Sequence, residues 1–139
     1  MFRRILVPVD FTPKSARAVR AAARVAGSSK AKTTLLHVIE RVDDGDPGPF
    51  TAFYRKLELN ARQKLAGFAA PLLRKSLPVK TAVVYGSRVN EILRFASASG
   101  TDLIVMSSHR LPLHPRGQDW GTISYKIGVL SRCPVLLVK

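Results

Sequence analysis

Near the C-terminus, the segment Gly121-Thr122-Ile123-Ser124 combines a glycine with two hydroxyl groups at the expected start of a helix. The first N–H groups of a helix have no partner within it, and the helix dipole favours an anion at that end. A basic loop with the side chains His109, Arg110, His114 and Arg116 precedes this start. Two interpretations stay open: an anion site, or a plain helix cap at Thr122 beside a solvated turn.

Asp10 follows the first apolar run of the chain, where a strand is expected to end. A carboxylate there can accept hydrogen bonds from a ribose. It can equally order the following turn by accepting from nearby backbone N–H groups. Spacing alone favours the structural role.

Hydrolytic chemistry finds little support in the sequence. Ser107-Ser108-His109 places hydroxyls beside an imidazole, but adjacent residues rarely reach each other, and no G-x-S-x-G motif occurs. Neither a P-loop nor a dinucleotide-binding fingerprint is present. His37 lies inside an apolar run and is interpreted as a buried or strand-end histidine. We therefore do not expect an independent hydrolase.

Five short, continuously apolar runs predict strands that are covered on both faces, as in parallel sheets. These runs are residues 5–9, 34–39, 79–84, 103–106 and 135–138. Helical patterns between them predict helices over residues 12–27, 54–72, 87–100 and 121–132, with a kink or an end at Pro71. The alternation predicts one α/β domain over residues 1–139. In such sheets ligands bind at the carboxyl ends of the strands, which points to the loop 107–120.

The chain of 139 residues carries 23 Lys and Arg against 9 Asp and Glu, a formal net charge of +14. This excess favours an anionic ligand or an acidic protein partner, and Arg17, Arg20 and Arg24 form a basic stripe on the first helix. The main aromatic residues are expected on the apolar face of the second helix or near the start of that helix: Phe50, Phe53, Tyr54 and Phe68. Because nucleic-acid binding usually adds exposed aromatics for stacking, nucleic acid is not the expected partner.

A single cysteine, Cys133, excludes an internal disulfide, and no Cys/His group has zinc spacing. No run approaches the roughly 20 apolar residues of a membrane-spanning helix. Asp10 and Pro13 interrupt the first apolar run too early for a secretory signal. We expect a cytoplasmic protein that does not insert into membranes.

Four segments together resemble the universal stress protein family. They are ILVPVDF at residues 5–11, LLHV at 35–38, DLIVMSSH at 102–109 and CPVLLV at 133–138. Each segment is weak evidence alone, but all four follow the family's order and separations across the whole chain.

The resemblance implies an open five-stranded parallel sheet in the order 3-2-1-4-5, with two helices on each face. It also implies a homodimer in which the last strand, Val135–Val138, pairs across a twofold axis. Such pairing would cover an apolar edge that is otherwise a liability. In the nucleotide-binding members ATP is the cofactor, with Mg²⁺ as its companion, and any hydrolysis is slow.

For an adenine nucleotide the resemblance implies ten site residues: Pro8, Val9, Asp10, Val38, Met106, Ser107, Arg110, Gly121, Thr122 and Ser124. Asp10 would meet the ribose, the backbone at Val38 the adenine, and Gly121 with Thr122 the phosphates. The family loop is G-x-x-G-x(9)-G-[ST]. Here Ser107 and Arg110 replace the first two glycines, and ten residues separate Arg110 from Gly121. Arg110 would either block the site or neutralise a phosphate.

Two functions therefore remain open on the sequence. The first is a stress-response module that binds ATP or a related adenine nucleotide as a sensed ligand. The second is a dimeric interaction protein that binds no nucleotide and docks an acidic partner.

Overall fold

Five strands form one sheet: β1 (Arg4–Pro8), β2 (Lys32–Ile39), β3 (Val79–Tyr85), β4 (Leu103–Ser107) and β5 (Val135–Val138). The computed structural model describes residues 1–41, 48, 50–108 and 122–139. All neighbouring strands are parallel, in the order β3-β2-β1-β4-β5. The predicted strands are confirmed to within two residues at each end, and so is the sheet order that the family resemblance implies.

The helices are α1 (Pro13–Gly27), α2 (Thr51–Phe68), α3 (Ala70–Arg74), α4 (Arg88–Ala98) and α5 (Ile123–Leu130). The expected break near Pro71 is confirmed, because α2 ends at Phe68 and Pro71 lies in the first turn of α3. A proline is tolerated there because the first N–H groups of a helix have no partner within it. None of the described helices is long and apolar enough to cross a membrane.

The sheet lies between two helical layers, with α1, α2 and α3 on one face and α4 and α5 on the other. Side chains alternate between the two cores, so that Ile5 and Val7 face α1 while Leu6 and Ile104 face α4 and α5. Because both faces are covered, the central strands β1 and β4 are almost continuously buried.

The aromatic residues lie on α2 or at its start, as expected, but they differ in burial. Tyr54 is buried, but Phe50 and Phe53 are 44 % and 55 % exposed. Successive residues of a helix point about 100° apart, so α2 can turn Tyr54 towards Tyr85 on β3 only by turning its neighbour Phe53 away. Leu57 on α2 and Leu130 at the end of α5 are also partly exposed, at 37 % and 58 %.

Candidate functional site

A cleft of about 320 Å³ opens at the carboxyl ends of β1 and β4. These strands are neighbours in the sheet, but the chain leaves β1 towards α1 on one face and leaves β4 towards α5 on the other. Open α/β sheets bind ligands at such a switch point, and the volume lies in the range of small-molecule sites.

Six of the ten expected site residues line this cleft: Pro8, Asp10, Met106, Ser107, Thr122 and Ser124. Val9 and Val38 do not line it, because their side chains are buried in the two cores. Arg110 and Gly121 lie outside the described residues, together with most of the loop 107–120. The fold thus brings the ends of β1 and β4 and the start of α5 together in one cleft, although they are far apart in the sequence.

Four further cleft residues were not expected from the sequence: Ser15, Arg88, Ile92 and Ile123. Ser15 lies in the first turn of α1, directly after β1, and Arg88 begins α4, directly after β3. The available signal was therefore a polar residue in the first turn of a helix that follows a strand.

Asp10 orders the turn between β1 and α1. Its Oδ1 accepts hydrogen bonds from the Thr12 backbone N–H at 3.1 Å and from the Thr12 and Ser15 hydroxyls, each at 2.6 Å. The Ser15 hydroxyl also accepts from the Asp10 N–H at 3.0 Å. This is the turn-ordering role that spacing favoured. Thr12 directly precedes α1, but its hydroxyl donates to Asp10 and does not accept a capping hydrogen bond from the first turn of the helix.

The same contacts set the charge of Asp10. Burial raises the pKa of this carboxyl, but the hydrogen bonds from Ser15 and Thr12 outweigh burial and hold the pKa below its ordinary value of 3.8. Asp10 is therefore an anion at neutral pH. Among the described residues, no hydrogen bond reaches its Oδ2.

An aromatic stack supports the turn from the α1 side of the sheet. Phe11 has a φ of 66°, which costs strain for a residue other than glycine. Its ring stacks on His37 with centroids 4.1 Å apart and packs against Phe68. His37 Nδ1 donates to the Val9 carbonyl at 2.7 Å, so this nitrogen carries the proton. The interpretation of His37 as a strand-end histidine is confirmed.

His37 makes stability depend on pH. Burial lowers the pKa of His37, and Arg88 and Lys64 add to this, while the Val9 carbonyl and Asp10 oppose it. The folded protein therefore binds fewer protons than the unfolded chain just below the ordinary pKa of 6.5. The free energy of unfolding should be fully retained above that pH and fall as the pH drops towards the folded-state pKa.

Urea unfolding at a series of pH values from about 7 down to 5 checks this expectation. Replacing His37→Gln keeps a side-chain donor and removes the titration, so the variant should lose less stability over this range. A variant that loses as much stability as the parent protein would show that His37 does not cause the dependence.

The N-terminus of α5 forms another wall of the cleft. Thr122 Oγ1 accepts from the Tyr125 N–H at 3.3 Å, so the expected cap is confirmed. The buried Ser124 places its hydroxyl 3.4 Å from Thr122 Oγ1. The N–H groups of Ile123 and Ser124 precede the first hydrogen bond within the helix, and no described residue accepts from them, so they can donate to a ligand.

The universal stress protein family model matches residues 1–139, the whole chain. The chain belongs to the universal stress protein family. Universal stress protein YxiE of Bacillus subtilis (strain 168) is 28 % identical over 156 residues, with both chains fully covered.

Solved structures of similar proteins have the same fold. The hypothetical protein MJ0577 is 26 % identical with a TM-score of 0.82, and the match covers 100 % of this chain and 96 % of that one. A universal stress protein in complex with cAMP is 19 % identical with a TM-score of 0.77, covering 99 % and 97 %. One from Archaeoglobus fulgidus in complex with dAMP is 17 % identical with a TM-score of 0.73, covering 99 % and 98 %.

In this universal stress protein, Arg88 supplies positive charge at the cleft. Its Nε lies 3.7 Å from Glu40 Oε1, and both side chains are about half exposed. An exposed ion pair of this kind contributes little to stability, so Arg88 can exchange Glu40 for another anion at small cost.

The backbone of β2 offers a second polar edge beside the cleft. Leu36 O accepts from the Val9 N–H on the β1 side, whereas Ile39 O accepts from the Gly86 N–H on the β3 side. Backbone groups of alternate residues point to the same neighbour, so those of Val38 face the β1 side. Because β1 ends at Pro8, which pairs with Leu36, no residue of β1 lies opposite Val38. The backbone N–H and carbonyl of Val38 therefore point past the end of β1.

Proposed function

We propose that this universal stress protein binds an adenine nucleotide, such as ATP, AMP or a cyclic nucleotide, in the cleft between β1 and β4. The observation that carries the proposal is that Asp10 and the N-terminus of α5 line the same cleft at the switch point of the sheet. Similar proteins that hold cAMP and dAMP support it.

The phosphate would lie at the N-terminus of α5. The N–H groups of Ile123 and Ser124, the helix dipole and the hydroxyls of Thr122 and Ser124 all favour an anion there. Arg88 lines the same cleft and would supply the opposite charge. The net charge of +14 raises the local concentration of any anion.

The nucleoside would lie towards β1 and β2. Asp10 would accept from the ribose hydroxyls through Oδ2, since its Oδ1 already holds the turn. The Val38 N–H and carbonyl would pair with the acceptor and donor on the adenine edge, without any contact from the buried Val38 side chain.

Magnesium would be bound mainly by the phosphates of ATP. Among the described residues, no three His, Cys, Asp or Glu side chains come together as a metal site. Mg²⁺ does not require a cluster of protein ligands, because it often keeps several waters and binds through one or two carboxylates and the substrate phosphates.

The proposed role is that of a cytoplasmic sensor in the stress response, with at most slow ATP hydrolysis. In its described part, the cleft contains no imidazole beside a hydroxyl, so it lacks the His-activated hydroxyl of a typical hydrolase. A bound nucleotide would then change the state of the protein rather than be consumed.

Calorimetric titration with AMP, adenosine and ATP tests the proposal. Replacing Arg88→Ala should weaken AMP binding about tenfold or more, because a charge-assisted hydrogen bond to the phosphate is lost. Adenosine has no phosphate, so its binding should be unchanged. Arg94→Ala is the matched control, since Arg94 lies on the same helix but pairs with Glu91 outside the cleft.

Two results would contradict the proposal. Equal weakening of AMP and adenosine would show that Arg88 does not meet the phosphate. Failure of the parent protein to bind any of the three compounds, or cAMP titrated in the same way, would exclude the nucleotide function and favour the dimeric interaction protein.

We also propose a homodimer formed through β5. Ile104 N–H donates to Pro134 O and Ser108 N–H donates to Val138 O, so Val135 and Leu137 direct their backbone groups away from β4. Nearby apolar side chains are exposed, with Leu136 at 40 % and Val129 at 64 %. Pairing with a second copy would satisfy this edge and cover those side chains.

A further inference from the structure

A groove of about 400 Å³ runs between α1 and the joined helices α2 and α3. Its floor is formed by the half-buried side chains of Ala16, Phe68 and Pro71, and its rims by the exposed side chains of Arg20, Lys64 and Arg74. The groove lies on the α1 face of the sheet and shares no residue with the proposed nucleotide cleft.

The rims carry positive charge that no acidic side chain balances among the described residues. Helix α1 contains no Asp or Glu. Arg17 and Arg24 extend the positive charge along the exposed side of this helix. The ion pairs that the structure describes are Arg62–Glu58, Arg88–Glu40 and Arg94–Glu91, and none uses a groove residue. This surface is therefore built to attract an anionic partner.

The apolar floor of the groove indicates which class of anionic partner fits it. Apolar side chains between cationic rims match a helix that presents apolar residues flanked by carboxylates, the helix-in-groove mode of recognition. A nucleic acid bound in the groove would need an exposed aromatic ring there for stacking, but Phe68, the aromatic residue of the floor, is half-buried against Phe11. A lipid surface would need an exposed apolar face, but the apolar face of α1 is buried against the sheet.

We infer that this groove docks an acidic amphipathic helix of another protein. The apolar side of that helix lies on Phe68 and Pro71, and its carboxylates meet Arg20, Lys64 and Arg74. The Nζ of Lys64 lies 5.3 Å from the centre of the Phe11 ring, a cation–π contact that favours its position on the rim. The inference does not depend on nucleotide binding, since the two sites are separate.

The probe is a labelled synthetic helix of about 15 residues with leucines on one side and glutamates elsewhere. The parent protein should bind it, and the pair Arg20→Glu and Arg74→Glu should weaken binding about tenfold or more. Arg55→Glu with Lys56→Glu is the matched control, because it makes the same charge change on exposed residues of α2 outside the groove. Binding to the control should stay within about twofold of the parent.

A second pair of variants tests the floor without changing charge. A Cβ on Gly67 would meet no atom within 4 Å, so Gly67→Leu should fill the groove without disturbing the helix. Ala66→Leu adds a similar side chain next to it but outside the groove. Gly67→Leu should weaken peptide binding about tenfold, Ala66→Leu should not, and circular dichroism should show both variants folded.

Three results would overturn the inference. The first is a parent protein that does not bind the peptide. The second is equal binding of a scrambled peptide of the same composition, which would show attraction by charge alone. The third is association with phosphatidylserine vesicles that is stronger than with the peptide and is lost in Gly67→Leu but not in Ala66→Leu, which would show that the groove serves a lipid surface.

Discussion

Replacing Asp10→Ala should lower the free energy of unfolding by about 2 kcal/mol. The variant loses the three hydrogen bonds that Oδ1 accepts from Thr12 and Ser15. It also leaves the hydroxyl of Ser15, which is only 1 % exposed, without its acceptor. A buried hydroxyl without a partner accounts for most of the expected loss. Urea unfolding measures this loss.

Asp10→Asn is the matched control for this prediction. Its side-chain oxygen can accept the same three hydrogen bonds, so its stability should stay within about 1 kcal/mol of the parent protein. If Asp10→Asn were as unstable as Asp10→Ala, the charge rather than the turn would be the source of the stabilisation.

The same pair of variants separates the two roles of Asp10. With Oδ2 assigned to the ribose, Asp10→Ala should bind adenosine and AMP about tenfold more weakly. Asp10→Asn should retain part of the affinity, because its amide NH2 then takes the place of Oδ2 and can donate to a ribose hydroxyl. A folded Asp10→Ala protein with unchanged adenosine affinity would place the ribose elsewhere in the cleft.

Leu136→Lys should convert the proposed dimer into a monomer. Leu136 is 40 % exposed on the edge strand β5, so a lysine fits without disturbing the core. A lysine on an edge strand discourages pairing, because the charge of each copy would be brought against the other. Light scattering should report twice the chain mass of 15.3 kDa for the parent protein and a single chain for the variant.

Leu59→Lys serves as the control, since Leu59 is 58 % exposed on α2, away from β5. It makes the same change of side chain and should remain dimeric. A parent protein that stays monomeric when concentrated would rule out the β5 dimer. A control that also dissociates would move the interface to another surface.

Local patterns in the sequence determined most of the framework. Each of the five apolar runs forms a strand. A strand that is covered on both faces is continuously apolar, so it can be recognised from its own residues without knowledge of its neighbours in the sheet. Thr122 caps α5 and Asp10 orders its turn because both contacts span only two to five residues. The sheet order came from the resemblance to the universal stress protein family, since run spacing alone does not say which strands are neighbours.

Only the tertiary structure decided which side chains meet in the cleft and which surfaces remain open. Arg88 and Ile92 follow β3, yet they reach the ends of β1 and β4 because α4 packs across that face of the sheet. Phe50 and Phe53 near the start of α2 remain exposed, because no other element of the described structure packs over that side of the helix start, whereas Tyr54 packs against Tyr85 on β3. The groove between α1 and α2–α3 likewise joins residues far apart in the chain. Periodicity and capping depend on near neighbours, whereas these sites depend on how whole elements pack.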